Sequence, residues 1–399
     1  MHAPNPVRQQ GTLRRGLLVM GIVLIAVNLR PALAGIGPLV ADIRDATGLS
    51  NTALGLLTTL PLLAFGFVSA LTPLVTRRRG IEGALAVALA LIGVGTVVRA
   101  VPSVALLFGG MALLGVGIAL GNVLLPALVK RDFPERSGPM TSLYSSAMGV
   151  GATVAAGVAV PLAAVLGWRG SLGAWAVLAL VALAAWLPQL RRRTPARTSR
   201  SVGASLRDLG RSPLAWQVAL FMGLQSLTFY VVLAWLPDLL QSRGLGAAEA
   251  GWMLALSQAT GVLGSAVVPL WAGRRADQRG IVWALALVEA VALAGLLAPG
   301  LDLAALWVGL LGFVLGGTFG LSLLFLVVRA ADAETATALS GMAQSVGYLL
   351  AAVGPTLFGA LHDLSGGWSV PLLSLVVVLG AKVVVGLGAG RVGEIHPAT

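Results

Sequence analysis

The chain has 399 residues, 57% hydrophobic and only 11% charged, with a formal net charge of +12 and a mean hydropathy of +0.91. Soluble domains are about 25% charged, so this composition excludes an ordinary water-soluble fold and indicates an all-α polytopic membrane protein. Cysteine is absent, which excludes disulfides, thiolate nucleophiles and Cys-ligated metals. His2, His362 and His396 have no metal-ligand spacing, and no GxxxxGKS/T phosphate loop occurs, so neither a metal, a cofactor nor nucleotide-driven transport is implied. No Ser–His–Asp or paired-carboxylate set suggests an enzyme.

Short charged or Pro/Gly-containing breaks divide the chain into twelve apolar segments. They are predicted at about 14–41, 51–75, 82–101, 103–129, 138–166, 168–190, 214–241, 248–272, 281–299, 302–328, 335–361 and 367–390. A membrane-crossing helix needs about 20 residues. The first segment carries Val27-Asn28-Leu29-Arg30-Pro31 near its middle. An arginine at half depth costs about 2.5–3.5 kcal/mol on insertion scales. Pro31 donates no N–H to the Val27 carbonyl and pushes Arg30 from helical geometry. A charge, an amide and a freed carbonyl are tolerated there when they face protein or a water-filled cavity, as in a transporter's substrate site; the alternative is a structural kink. Arg14-Arg15 with Ala32-Leu33-Ala34 imitates a cleaved signal peptide, but the apolar run continues to Ala41, so the segment is read as a retained helix.

Residues 191–213 form a basic linker between two six-helix halves, 1–190 and 214–399. The halves repeat with an offset near 200 residues: Gly117 and Gly121 match Gly316 and Gly320, Lys130 matches Arg329, and Gly167-Trp168 matches Gly367-Trp368. Of the Lys and Arg residues, Arg44, Arg99, Arg169 and Arg243 are assigned to the opposite loops and Arg30 and Lys382 fall within segments, while all the others lie in the tails and in every second loop. By the positive-inside rule both termini are cytoplasmic, and anionic lipid rather than nucleic acid is the partner of these charges.

Parallel six-plus-six repeats are one plan of secondary transporters, in which the first, fourth, seventh and tenth helices line a central cavity, helped by the second, fifth, eighth and eleventh. This is fold-level analogy. Polar groups near the centres of those segments include Asn28, Arg30, Thr58, Asn122, Tyr144, Gln225, Tyr230, Gln258, Gln344 and Tyr348, with Ser146 and Ser345 beside them. Uncharged donors with a few aromatics suit a small polar or weakly anionic solute; singly, each is also an ordinary helix–helix hydrogen-bonding residue. Only Glu289 among the carboxylates falls mid-segment, in the ninth helix, outside the cavity set, where pairing with a neighbour is favoured over proton coupling. No carboxylate therefore faces Arg30 from the cavity segments, and the expected solute is an anion or a hydrogen-bond acceptor. Arg275 and Asp277 occupy a loop position suited to gating.

The motifs Asn28-Leu29-Arg30-Pro31, Gly55-Leu56-Leu57-Thr58-Thr59-Leu60-Pro61, Ala119-Leu120-Gly121-Asn122-Val123-Leu124-Leu125-Pro126 and Lys130-Arg131-Asp132-Phe133-Pro134 resemble the cyanate porter family of the major facilitator superfamily, whose members include cyanate and 2-nitroimidazole transporters. The resemblance covers the membrane region and is looser in the second half, at Gly341-Met342-Ala343-Gln344-Ser345-Val346-Gly347-Tyr348. It implies a monomeric secondary or facilitative transporter of a small anionic or polar nitrogen-containing solute in a bacterial-type inner membrane. It also implies cavity roles for Asn28, Arg30, Thr58, Asn122 and Tyr144, and gating by Lys130, Arg131 and Asp132. The competing expectation is efflux of drugs or nitroaromatics through an aromatic cavity with Tyr144, Tyr230, Trp235 and Tyr348.

Overall fold

The computed structural model describes the backbone at residues 6–49, 51–69, 71–192, 207, 209–298, 300 and 302–395. Most of the expected 191–213 linker and the side chain of Thr58 lie outside the described residues. The described chain is helical. In order, the helices are α1 (Pro6–Asn28), α2 (Pro31–Ala34), α3 (Val40–Thr47), α4 (Asn51–Ser69), α5 (Thr72–Ala100), α6 (Val104–Asp132), α7 (Ser137–Trp186), α8 (Pro213–Gln241), α9 (Ala247–Ala272), α10 (Arg279–Leu297), α11 (Ala304–Val328), α12 (Ala333–Ser365) and α13 (Ser369–Gly390).

Among the described residues, ten helical stretches are long and apolar enough to cross a membrane. Two places account for the difference from the twelve predicted segments. In α4 only Leu60–Ser69 stands out as a shorter apolar stretch. In α7, a 50-residue run, the fifth and sixth predicted segments follow one another through a bend at Gly167, with φ 70° and ψ 164°. Only glycine takes that conformation without strain, and a matching bend sits at Gly80 in α5, with φ 71° and ψ 176°.

The first predicted segment is not one helix. It is helical to Asn28, restarts at Pro31 and ends in a short 3-10 turn over Gly37–Leu39 before α3. Arg30 caps α2 with φ −120° and ψ −35°; a residue before proline is expected to be extended, and Arg30 instead keeps a helical ψ, which lets the chain restart as helix at once. Its carbonyl accepts from the amides of Leu33 and Ala34 at 3.0 Å each.

The chain forms two compact units. One comprises Met1–Pro61, Val75–Gly121 and Val150–Arg197; the other comprises Leu62–Leu74, Asn122–Gly149 and Thr198–Thr399. In the first unit, glycines carry the close contacts. A Cβ at Gly117 would lie 2.6 Å from the Ala88 carbonyl of α5, and one at Gly121 would meet the Leu29 side chain at 2.6 Å. In the second unit, α9 and α11 touch backbone to backbone, since a Cβ at Gly264 or Gly316 would overlap the carbonyl of Phe313 or Gly261. Small residues at such crossings permit the dispersion contacts that hold helices together in lipid. Helix α8 meets α12 in the same way, at Gly223 and Gly347.

The second unit also holds a buried ion pair. Lys382 of α13 donates to both carboxylate oxygens of Glu289 in α10, at 2.6 and 2.5 Å, with side chains 3% and 0% exposed. Pairing is thus the observed state of Glu289. At one end of this unit the chain after α13 crosses the end of α11. The Ile395 amide donates to the Arg329 carbonyl at 2.7 Å, and Ala331 donates back to Ile395 at 3.2 Å. Arg329, at the C-terminus of α11, donates to the carbonyls of Ala389, Gly390 and Gly393 and to Gln278.

Candidate solute site

In the first unit the helix break is fixed from two sides. Asn28 is buried, and its amide nitrogen donates to the Leu24 carbonyl at 2.8 Å and to the Leu178 carbonyl of α7 at 3.3 Å. Both N–H groups are thereby used, and the side-chain oxygen is what Asn28 has left to offer. The Val27 carbonyl, which Pro31 leaves without its helical donor, abuts Gly151, where a Cβ would come within 2.7 Å. Arg30 is half-buried and is engaged within the protein. A solute anion would compete with that engagement.

Arg99 is the residue that sequence reading misplaced. It lies one residue from the end of α5, beside the Val101-Pro102 break, and was expected in a loop. It is instead fully buried. Its guanidinium donates to the Ala32 carbonyl of α2 at 2.5 Å and the Leu172 carbonyl of α7 at 2.9 Å, with a weaker contact to the Met111 sulfur at 3.5 Å. Its Nε has no hydrogen-bond partner. A buried arginine needs acceptors, and carbonyls at a broken helix are available ones; nothing in the sequence spacing reveals the pairing.

In the second unit the polar side chains expected in the cavity gather on α6, α7, α8 and α12. Gln344 donates to the Asn122 carbonyl at 3.4 Å, and both side chains are buried. Gln225 donates to Ser226 at 2.7 Å. The buried Tyr144 hydroxyl lies against the Thr141 side chain, while the amide oxygens of Gln225 and Gln344 have no hydrogen-bond partner, nor do the hydroxyls of Ser146, Ser340 and Ser345. Buried polar atoms in folded proteins are rarely left so, and each costs about 1–3 kcal/mol when unsatisfied. Ser146 and Ser345 stand among the mid-segment polar residues of the sequence; Thr141 and Ser340 do not, and their helical spacing from Tyr144 and Gln344 was the available signal. Gln258 is half-buried on α9.

The aromatic residues are occupied with packing. Tyr348 meets Phe65 edge-on at 5.0 Å, and Tyr230 meets Phe229 at 5.3 Å. Trp235 donates to the Pro355 carbonyl at 2.8 Å and packs on Trp368 at 5.9 Å.

The residues expected to gate lie at helix ends of this unit. Lys130 Nζ is 3.7 Å from the Glu394 carboxylate. Arg131 pairs with Asp132 at 2.7 Å. Arg275 is exposed, with its guanidinium over the Trp271 ring at 5.3 Å. Asp277 is held by Arg279 through the Arg279 amide at 2.9 Å and the guanidinium at 2.6 Å. These bonds to Arg279 keep the Asp277 carboxyl below its ordinary range, with the Arg329 charge adding to the effect. The same α7 end packs on α9: Ser142 and Ser145 donate to the carbonyls of Ala266 and Ser265 at 2.5 and 2.9 Å, and a Cβ at Gly138 would lie 2.9 Å from the Gly273 Cα.

Long apolar helices, a first helix broken at an arginine, and unsatisfied polar atoms deep among helices together define a polytopic membrane carrier. Residues 17–355 match the family model of the Major Facilitator Superfamily, and the chain belongs to that family. It is 47% identical over 383 residues to the 2-nitroimidazole transporter of Escherichia coli K12, covering 96% of this chain and 97% of that one. It is 30% identical over 356 residues to the cyanate transport protein CynX of the same organism, covering 88% and 91%. The fold matches the E. coli fucose:proton symporter FucP with a TM-score of 0.75 at 14% identity, covering 94% and 98%; at that identity the likeness speaks to the fold alone. The protein is a multi-pass membrane transporter related to cyanate and nitroimidazole transporters, and not an enzyme.

Proposed function

We propose that the protein moves a small anionic or polar nitrogen-containing solute across a bacterial-type inner membrane by alternating access. In this reading twelve helices form two six-helix halves, 1–190 and 214–399, joined by the 191–213 linker, with both termini in the cytoplasm. The observation that carries the solute class is the set of unpartnered buried polar atoms on α7, α8 and α12. Hydroxyls of Ser340 and Ser345, with that of Tyr144 beside Thr141, are donors for a negative or electron-rich group, and the amide oxygens of Gln225 and Gln344 accept from an N–H. The names of the relatives, 2-nitroimidazole and cyanate, share this chemistry: small, nitrogen-containing, with delocalised electrons at acceptor atoms. Arg30 serves as the fixed positive site, with Asn28, Thr58, Asn122, Tyr230, Gln258 and Tyr348 completing the cavity. Lys130, Arg131, Asp132, Arg275 and Asp277 act in gating. The packed state of the aromatics favours this reading over efflux of large apolar drugs.

The test is uptake into proteoliposomes of cyanate, bicarbonate, a short carboxylate and a nitroimidazole, with the intact protein and Arg30→Ala. Uptake of a small anion that Arg30→Ala abolishes, in a variant that still elutes as folded protein, is expected. Flux confined to the neutral nitroimidazole and surviving Arg30→Ala would refute the anion-site reading and favour efflux.

A further inference from the structure

We infer that Arg99 is a positioning residue for transport: it sets the orientation of the broken first helix, and through it the direction in which Arg30 points. The inference rests on the reading of Arg30 as part of the solute site. It is carried by three observations in the first unit.

The break is bracketed. On one side Asn28 holds the end of α1 to the Leu178 carbonyl. On the other, Arg99 holds α2 to α7 by donating to Ala32 and Leu172 together. Leu172 and Leu178 lie six residues apart on one helix, about 9 Å along its axis. Arg30 sits between the two anchors, midway along a segment that has only two residues, Leu29 and Arg30, between α1 and α2. Rotation of α2 about this joint would swing the Arg30 side chain, and the Ala32 bond opposes it.

The arginine is itself fixed. A Cβ at Gly110 of α6 would lie 2.5 Å from the Arg99 amide nitrogen and 2.6 Å from the Gly95 carbonyl, and one at Gly95 would lie 2.6 Å from the Leu114 amide. The α5 and α6 backbones touch at the level of Arg99, so its Cα has no room to drift.

The chemistry asks for arginine. One planar guanidinium reaches two carbonyls on two elements through separate nitrogens, Nη1 and Nη2. A lysine ammonium is a point charge without that fork. Plain helix association would be met by apolar residues at lower cost, since burying a cation without a carboxylate is unfavourable.

The absence of native cysteine allows a test that needs no substrate. Spin labels at Ala34→Cys and Val177→Cys, both in the first unit, report the placement of α2 against α7 by pulsed electron resonance in proteoliposomes. The distance distribution should be narrow in the parent, broad in Arg99→Met and intermediate in Arg99→Lys. On the unlabelled protein, cyanate uptake is measured for the same Arg99 substitutions. KM should rise by at least about tenfold in Arg99→Met, with Vmax per folded protein within about twofold of the parent. An unchanged distance distribution in either Arg99 variant overturns the inference, as does a loss of Vmax with unaltered KM, which marks a merely structural role. Arg99→Lys keeps the test decisive if Arg99→Met does not fold. If the distribution broadens while Arg30→Ala leaves uptake intact, the Arg30 site fails and the positioning of the break stands. If the parent carries no cyanate, that choice of solute fails and the distance measurement alone decides the inference.

Discussion

Removing the Glu289 carboxylate should destabilise the protein far more than removing both members of its pair. Lys382 Nζ lies 2.5 and 2.6 Å from the two Glu289 oxygens, and the pair is sealed from solvent in apolar helices. At an effective dielectric of about 20, charges this close attract by about 6 kcal/mol. Desolvation costs several kcal/mol per ion, so the intact pair is near balance against an apolar pair of similar volume. Glu289→Gln leaves an ammonium in the bilayer core without its counter-charge, at a cost of about 3–5 kcal/mol. Glu289→Leu with Lys382→Met removes both charges and should fall within about 1–2 kcal/mol of the parent. Unfolding in SDS, followed by tryptophan fluorescence, of the parent, Glu289→Leu, Lys382→Met and the double variant gives the four corners of a double-mutant cycle. A coupling below about 1 kcal/mol, or a double variant no better than Glu289→Gln, would refute the account of the pair as a matched neutralisation.

Tyr144→Phe removes a hydroxyl whose side-chain partner is Thr141, so folded stability should fall by no more than about 1 kcal/mol while cyanate uptake falls; a larger stability loss with normal uptake would show that the hydroxyl is structural. Gly264→Leu should abolish folded protein on size-exclusion chromatography, because the added side chain overlaps the Phe313 carbonyl and overpacking at a backbone contact cannot relax. Asp277, whose folded carboxyl is depressed below 3.8 by Arg279, adds stability that is complete above about pH 4–5 and is lost as pH falls through the folded value. The stability difference between the parent and Asp277→Asn should therefore be flat from pH 5 to 8 and shrink on further acidification. Arg329→Gln, which loses several carbonyl acceptors, should lower the thermal midpoint more than Glu394→Gln, whose half-exposed pair with Lys130 is worth less than about 1 kcal/mol.

Much of the helix pattern is legible because lipid demands it: each apolar run must satisfy its own backbone, so breaks at Gly80, Pro102 and Gly167 mark bends or ends in the folded chain. The break at Arg30-Pro31 was legible because a proline there coincides with a half-depth arginine; proline alone does not end a helix, since Pro61, Pro126 and Pro161 lie inside α4, α6 and α7. What the sequence hid is pairing at a distance. Glu289 and Lys382 stand 93 residues apart, and each alone reads as an isolated charge. Arg99 read as a loop residue because the Val101-Pro102 break begins two residues on, although α5 runs to Ala100 and keeps Arg99 inside the helix. The glycines were visible as packing positions, but which helix each admits depends on rotation about the helix axis, and that is set by the neighbours.

Lys130 and Arg329 occupy corresponding places in the repeat, yet among the described residues one segment, after α13, engages both. Gly393 and Ile395 bond to Arg329, while Glu394 faces Lys130. Whatever equivalence the two copies inherited in sequence, they are not interchangeable parts. A re-ordered chain with the second copy first would keep every helix but turn this short strap into the connector between copies, tethered at both ends. Such a protein would separate what duplication supplies from what the segment after α13 adds.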